Sequence, residues 1–380
     1  MELIEQFISD RMLADKTARN YRSIIHKYEE YCGLSMRELV KEADMEEEQG
    51  IRWKRSQLKN RLVGFRNYCA ENVSHTSVTT YFTAIKAVYR HFEIEIGDMP
   101  KLGKQTFKYQ EQSYKDLLTK KELKQVYAHT DGVIRPAFLF MLSTGITRYD
   151  ICYSITVQDF IDACKDYLTT DTLEEQLNEL AVQDNIIPTF YLQRNKTKKW
   201  FYTFCTPEAT REVVTYLRHR NQRIKKNHST WRRRFPKEKL EYDDPLFKMT
   251  DQTLGNKLIA INDELHLGKS GAYRKLRPHM LRKFHASTLL NTKKFTVDEV
   301  DYLQGRSKDR IHTAYFKHDP KVLKEQYIDC IEALTIVDSE YYDLYHLRKE
   351  KENLETKIDD QEILIQEILE VQKEMQELMK

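Results

Sequence analysis

Nowhere does the chain approach the roughly 18 consecutive apolar residues that a membrane span needs. Its N-terminus, MELIEQFISDRML, lacks the basic-then-apolar layout of a secretory signal. A soluble, cytoplasmic protein with no membrane partner is therefore expected. Cysteine is scarce and scattered: the six, at positions 32, 69, 152, 164, 205 and 330, form no C-x-x-C pair and no Cys/His cluster with zinc spacing. A disulfide framework or a metal site is thus left without support, and the thiols read as reduced, mostly buried small residues. No internal repeat of roughly 20 to 50 residues is evident, so a repeat architecture is not expected.

What is present is length and an uneven charge. With 380 residues, 40% of them hydrophobic, the chain can fill two globular cores and carry an appendage. The formal net charge of +3 hides an asymmetry. From Asp338 to Lys380 thirteen acidic residues face six basic ones, a net of −7, which leaves +10 on residues 1 to 337. A basic globular part suits a polyanionic partner such as nucleic acid, although many basic faces are merely solvated.

Helical periodicity dominates the first hundred residues. TSVTTYFTAIKAVYRHF sets Val78, Tyr81, Phe82, Ile85, Val88, Tyr89 and Phe92 on one stripe, and TARNYRSIIHKYEEYC does the same with Tyr21, Ile24, Ile25, Tyr28 and Tyr31. Between them, IRWKRSQLKNRLVGFRNY interleaves Arg52, Lys54, Arg55, Lys59, Arg61 and Arg66 with apolar residues, a basic face backed by a core face. GDMPKLGKQTFKYQEQSYKDL reads as a linker. A second domain opens at LTKKELKQVY, where Thr119 and Glu122 make a capping box. IIPTFYLQRNKTKKWFYTFC is the one convincing strand, turn and strand, with Asn195, Lys196 and Thr197 in the turn; Thr206 and Pro207 fit the start of the next helix. From Leu347 onward, Leu354, Ile358, Ile365, Ile368, Met375 and Met379 keep a 4,3 spacing, with Gln361 and Gln372 in the gaps. That is either a short coiled coil or a single amphipathic helix packed on its own domain.

Four places along the chain offer groups suited to a phosphodiester. STGITRYDI puts Arg148 at the start of a helix, the hairpin turn offers Lys196, RPHMLRKFHAS offers His279 and Arg282, and LQGRSKDRIHTAYF offers Arg306 and Tyr315. His279 and Arg282, three apart, share a helix face. Guanidinium forks donate paired hydrogen bonds to phosphate oxygens and would neutralise the charge of a pentacoordinate transition state. A tyrosine with an ordinary pKa near 10 is only about 0.1% phenolate at neutral pH, so it needs a proton acceptor and nearby positive charge. The departing sugar oxygen needs a proton, which a lysine on a hairpin could deliver. A second basic run, RHRNQRIKKNHSTWRRRFPKEK, carries Arg218, Arg220, Arg223, Lys225, Lys226, Arg232, Arg233 and Arg234 around Trp231. It reads either as a phosphate-contacting surface or as a solvated loop.

In this order, TGITRYDI, the hairpin lysine, HMLRKFHAS, and LQGR followed nine residues later by Tyr315 resemble the catalytic domain of tyrosine recombinases, the phage-integrase family. The forms STGITRYDI, GR and YFKHDP look most like archaeal and archaeal-virus integrases. The motif resemblance runs from residue 112 to about residue 335; the first 105 residues match only in helical, basic character. It implies a mainly α fold with a small β-sheet: a helical DNA core-binding domain over 1–105, a catalytic domain over 106–337, and an acidic, coiled-coil-like helix over 338–380.

The same resemblance implies a site-specific DNA recombinase. Tyr315 would be the nucleophile of a 3′-phosphotyrosyl link, Arg148 and Arg282 the clamps, Lys196 (in competition with Lys198 and Lys199) the general acid, and His279 the proton partner. Arg306 stands where the family usually has His or Trp. Arg148 comes three residues after the glycine of TG where many members have arginine after two, with Thr147 at the usual site; on a helix that shift turns a side chain by about 100°. The implied partner is double-stranded DNA, bound by a homo-tetramer on two sites without cofactor, ATP or metal, and the segment PKVLKEQYIDCIEALTI is implied to exchange between protomers. Arg52, Lys54, Arg55 and Lys59, with the second basic run, would contact DNA. Rival readings are a type IB topoisomerase-like nicking enzyme, a catalytically silent DNA-binding regulator on the same fold, and a coiled-coil scaffold.

Overall fold

The structure, a computed structural model, describes residues 2–100, 114–226, 240–271, 273–306 and 319–337. The fold is mainly α, with two small antiparallel two-stranded sheets among the described residues. The chain divides into two compact units, Met1–Gln110 and Glu111–Lys380. No helix of the described residues is long and apolar enough to cross a membrane.

Among the described residues, five α-helices build the first unit: α1 (Glu2–Asp10), α2 (Asp15–Cys32), α3 (Met36–Glu48), α4 (Gln57–Asn72) and α5 (His75–His91). Serine oxygens accept the first free backbone N–H groups of three of them: Ser35 (in a reciprocal box with Glu38), Ser56 and Ser74. The expected stripes of α2 and α5 meet in the core, where Ile24, Ile25, Tyr28, Ile85, Val88 and Tyr89 are buried. Tyr28 and Tyr89 share a hydrogen bond of 3.2 Å between their hydroxyls, which offsets part of the cost of burying two phenols. Tyr31 departs from its stripe. It is 41% exposed and lies against Tyr68, ring centroids 5.3 Å apart, with its hydroxyl over Gly64 of α4.

The expected basic face of α4 is also divided by packing. Arg61 turns to Glu42 of α3 at 2.9 Å, and Arg66 is buried and donates to the carbonyl of Pro100. Helical spacing explains this: Leu58, Leu62, Phe65, Arg66 and Cys69 fall on the inward side of α4.

In the second unit the helices α6 (Lys120–His129), α7 (Ile134–Thr144), α8 (Arg148–Tyr153), α9 (Val157–Ala163) and α10 (Leu173–Val182) precede a hairpin of β1 (Thr189–Gln193) and β2 (Trp200–Phe204). Then come α11 (Pro207–Lys226), α12 (Asp251–Glu264), a short hairpin of β3 (Lys269–Ser270) and β4 (Tyr273–Arg274), α13 (Pro278–Asn291), α14 (Val297–Leu303), α15 (Pro320–Ile328) and α16 (Ile331–Leu334). The central element is α7. Its run IRPAFLFMLST is apolar on nearly all sides, and every residue but Arg135 is buried, against α11 and α13 among others.

The hairpin pairs Thr189 with Phe204 and Gln193 with Trp200, so its turn holds the expected Asn195, Lys196 and Thr197. Thr206 caps α11 by accepting from the N–H of Ala209. The segment PKVLKEQYIDCIEALTI packs on its own unit: Leu323, Tyr327, Cys330, Ile331 and Leu334 are buried, and the Tyr327 hydroxyl donates to the Ser143 carbonyl at 2.8 Å. The acidic C-terminal stretch 338–380, read as a coiled coil or a single helix, lies outside the described residues.

The capping box of α6 offers a direct check on the local energetics. Thr119 accepts from the Glu122 N–H at 3.2 Å while Glu122 accepts from the Thr119 N–H at 2.8 Å. Replacing Thr119 by Ala should lower the free energy of unfolding of this unit by about 1 kcal/mol in urea titrations. A Thr119→Ser control should lose much less.

Candidate active site

Local chemistry at the end of α7 starts the site. The helix stops at Gly145, whose φ of +64° lies in the left-handed region. A Cβ there would sit 2.6 Å from His285 Nδ1, so glycine is needed for conformation and for space. Two residues on, Thr147 caps α8: its Oγ1 accepts from the Asp150 N–H at 3.3 Å and donates to Asp150 Oδ2 at 2.6 Å. The Asp150 carboxylate is 5% exposed, and its Oδ1 accepts the backbone N–H of Asn195 at 3.1 Å. Through this one side chain α8 holds the turn of the β1–β2 hairpin.

The turn after α14 receives the other side of the hairpin. Gly305, at φ +59°, presents its carbonyl to Arg194 Nη1 at 2.9 Å and to Thr197 Oγ1 at 3.4 Å. From α13, Arg282 reaches the same turn. It is 5% exposed and donates through Nη2 to the Gln304 carbonyl at 2.6 Å and through Nη1 to the Gly145 carbonyl. Gln304 answers with its side chain, giving Nε2 to the Arg282 carbonyl at 3.0 Å and lying 2.9 Å from His285 Nδ1. Arg306 closes the ring, donating Nε to Gln304 Oε1 at 3.0 Å and pairing with Asp301 at 3.2 Å.

These elements wall a cleft of about 680 Å³. Among the described residues six basic side chains line it, Arg148, Arg194, Arg277, Arg282, Lys283 and Arg306, together with His279. Among the described residues the acidic side chains acting on this wall are fewer: Asp251 pairs with Arg148 at 3.2 Å and Asp301 with Arg306, Asp150 acts on Arg194 and Arg282, and Asp116 acts on Lys283. Burial is the first cause of the pKa shifts along this wall, and the neighbouring cations add to it. Burial, and then the charges of Arg194 and Arg306, push Arg282 down to about 9, with Asp150 and Asp301 opposing. Burial lowers Arg194, Arg277 and Lys283 as well. His279 is held below its ordinary value by desolvation, then by Lys283, Arg277, Arg282 and Arg306. Its imidazole is therefore neutral at neutral pH and free to take a proton.

Such a cleft is suited to a singly charged tetrahedral anion whose oxygens accept from several guanidinium groups at once. Of the expected catalytic residues, Arg148, His279, Arg282 and Arg306 line it. Arg148 does so from the first position of α8, with its guanidinium against Gly255 of α12. Lys196 is exposed on the hairpin turn and is not among the lining residues. Tyr315 lies outside the described residues.

Sequence reading passed over Arg194, Arg277 and Lys283. Two of them had a signal. Period-two alternation puts Arg194 on the side of Phe190 and Leu192, the buried face of the hairpin, and Lys283 is four residues after His279 on the same helix.

No protein-family model and no curated protein sequence matches the chain. Solved structures do resemble it. A lambda integrase dimer bound to a COC′ core site shares 14% identity over 84% of this chain and 98% of that one, with a TM-score of 0.46. The Tn1549 transposon integrase in complex with transposon right end DNA shares 12% over 84% and 94%, at 0.45, and XerA recombinase 14% over 86% and 97%, at 0.32. At that identity and overlap, the assignment of function rests on the chemistry of the site itself.

Outside the cleft, Arg52, Lys54 and Arg55 are exposed around a single 3-10 turn (Trp53–Arg55), and Lys59 is half-buried on α4. The Trp53 indole anchors that turn by donating to the Asp98 carbonyl at 3.0 Å. In the second basic run, Arg220 pairs with Asp244 at 3.2 Å. Arg223, Lys225 and Lys226 belong to the end of α11, their side chains outside the described residues, as are Arg232, Arg233 and Arg234.

His285 gives the site a measurable acid sensitivity. It is fully buried, its Nε2 has no hydrogen-bond partner among the described residues, and burial pushes it down to about 3, helped by Arg282 and Arg306 and opposed weakly by the Ser143 backbone. Between that value and the ordinary one near 6.5 the unfolded chain binds a proton that the folded chain refuses. Stability should therefore fall as pH drops through this window. Urea midpoints at pH 7 and pH 5 should differ more for the wild type than for His285→Gln.

Proposed function

We propose that the chain is a site-specific DNA recombinase that cleaves and rejoins duplex DNA through a 3′-phosphotyrosyl intermediate. The observation that carries this reading is the under-neutralised guanidinium cluster in the cleft, with a neutral His279 on the same helix as Arg282. Guanidinium groups positioned before the reaction stabilise charge that grows on the non-bridging oxygens. Tyr315, nine residues after Arg306, supplies the nucleophile: its oxygen bonds to phosphorus as the bond from phosphorus to the 5′ oxygen breaks. The phenolic proton passes to His279, and the departing 5′ oxygen takes a proton from Lys196 on the hairpin turn. The surrounding positive charge favours both the phenolate and the neutral imidazole.

Because the phosphotyrosyl ester conserves the energy of the broken bond, rejoining is the reverse of cleavage and consumes no nucleotide. Exposed Arg52, Lys54 and Arg55, with Lys59 and the basic run from Arg223 to Arg234, provide phosphate contacts that hold the duplex. Exchange between two sites then takes four copies, a homo-tetramer on DNA, and places the protein with the nucleoid.

A library of nicked duplexes with randomised flanks tests the chemistry whatever the target sequence. The wild-type chain should accumulate a detergent-resistant, protease-sensitive adduct on a subset of sequences, and Tyr315→Phe should give none. Absence of an adduct from the wild type would sink the proposal.

The same assay reads the proton acceptor. With substrate limiting, the acid limb of the rate should lie below pH 6.5, because His279 stays neutral to lower pH than an ordinary histidine. His279→Ala should slow the reaction by roughly 100-fold or more and remove that limb.

A further inference from the structure

We infer that Arg194, at the base of the β1–β2 hairpin, is the second phosphate clamp beside Arg282, with Arg148 a peripheral contact. The inference rests on the phosphotransfer reading above and assigns one of its central roles to a residue that motif spacing does not point to.

Three observations support it. The first is convergence: Arg194 donates to the Gly305 carbonyl, Arg282 to the Gln304 carbonyl and Arg306 to the Gln304 side chain, so three guanidinium groups are anchored on one short turn. Among the charges acting on Arg282, that of Arg194 is the largest, and Arg148 is not among those named. The second is the state of each charge. Arg148 is paired with Asp251 at 3.2 Å and its side chain is 40% exposed, so its charge is both neutralised and screened. Arg194 is half-buried; the Asp150 carboxylate acts on it from a distance but forms no ion pair with it, and its Nε is enclosed with no hydrogen-bond partner among the described residues. The third is rigidity. The Asp150 carboxylate holds the hairpin turn through the Asn195 N–H, and Thr197 adds a contact to Gly305, so the Arg194 backbone is tied to both α8 and the turn after α14.

The displaced motif arginine then has a physical explanation. At the position after Ile146 the chain carries Thr147, whose hydroxyl is committed to Asp150 as a helix cap, and Arg148 leaves the next position toward α12. A guanidinium arriving from the hairpin supplies the charge that Thr147 cannot. A fork in that place would donate to a non-bridging oxygen held between Arg194 and Arg282, the arrangement needed to offset the charge of the pentacoordinate state.

The test compares Arg194→Met, Arg194→Lys and Arg148→Met on a nicked duplex recovered from the library by the wild-type chain, measuring adduct rate and DNA affinity separately. Arg194→Met should slow adduct formation by about 100-fold or more with little change in affinity, Arg194→Lys should recover part of the loss, and Arg148→Met should cost less than about ten-fold. A second substrate carries a methylphosphonate at the scissile position, which removes the negative charge. There the gap between wild type and Arg194→Met should shrink to a few-fold, because no charge is left to neutralise. An undiminished gap on the methylphosphonate would show a merely structural role and overturn the assignment, as would an Arg148→Met loss equal to or greater than that of Arg194→Met. Failure of the wild type to form any adduct would instead remove the phosphotransfer reading on which the assignment stands.

Discussion

Positive charge gathered on the Gln304–Gly305–Arg306 turn is the constraint around which the second unit is organised. Guanidinium groups repel one another, and a buried one loses hydration, so their convergence costs stability unless carbonyl oxygens and a counter-charge offset it. The carbonyls are provided: Gly145, Gln304 and Gly305 each accept from an arginine. The counter-charge is provided only in part, by Asp150, Asp251 and Asp301. What remains unneutralised is the capacity of the cleft to take an anion, which links the fold to its proposed chemistry.

Holding that arrangement requires the backbone to turn sharply where the arginines need acceptors. Gly145 and Gly305 both sit at positive φ, and both have a side chain against the place where a Cβ would project, His285 and Gln304 for the first and Phe201 for the second. Asp150 then fixes the hairpin to α8, while Gln304 joins α13 to the turn through Arg282 and His285. The apolar helix α7 and the buried Tyr327 beneath it give this polar network a stiff support.

Much of the local structure could be read from residue order because it depends on near neighbours. The stripes of α2 and α5, the Thr119–Glu122 box, the hairpin around Asn195–Thr197 and the start of α11 at Pro207 all follow from periodicity and cap chemistry within a few residues. The exceptions involve residues whose partners are distant in sequence. Arg66 looked like part of a basic face, yet it finds the carbonyl of Pro100, and Arg61 finds Glu42. Tyr31 leaves its stripe to lie over Gly64 beside Tyr68.

The candidate site divides along the same line. Residue order alone determined the types of group present and their sequence: His279 with Arg282 on one helix face, Arg148 opening a helix, Lys196 in a turn, and Arg306 upstream of Tyr315. Those features arise from helical and strand repeats, which act over a few residues. Only tertiary structure decided which charges are neutralised and which face the cleft. Asp251 on α12 takes Arg148, and the Gly305 carbonyl draws in Arg194 from the hairpin. Both pairings join residues about a hundred positions apart in the chain. No local pattern encodes them, because they exist only once the packing of α7, α13 and the hairpin has brought those segments together.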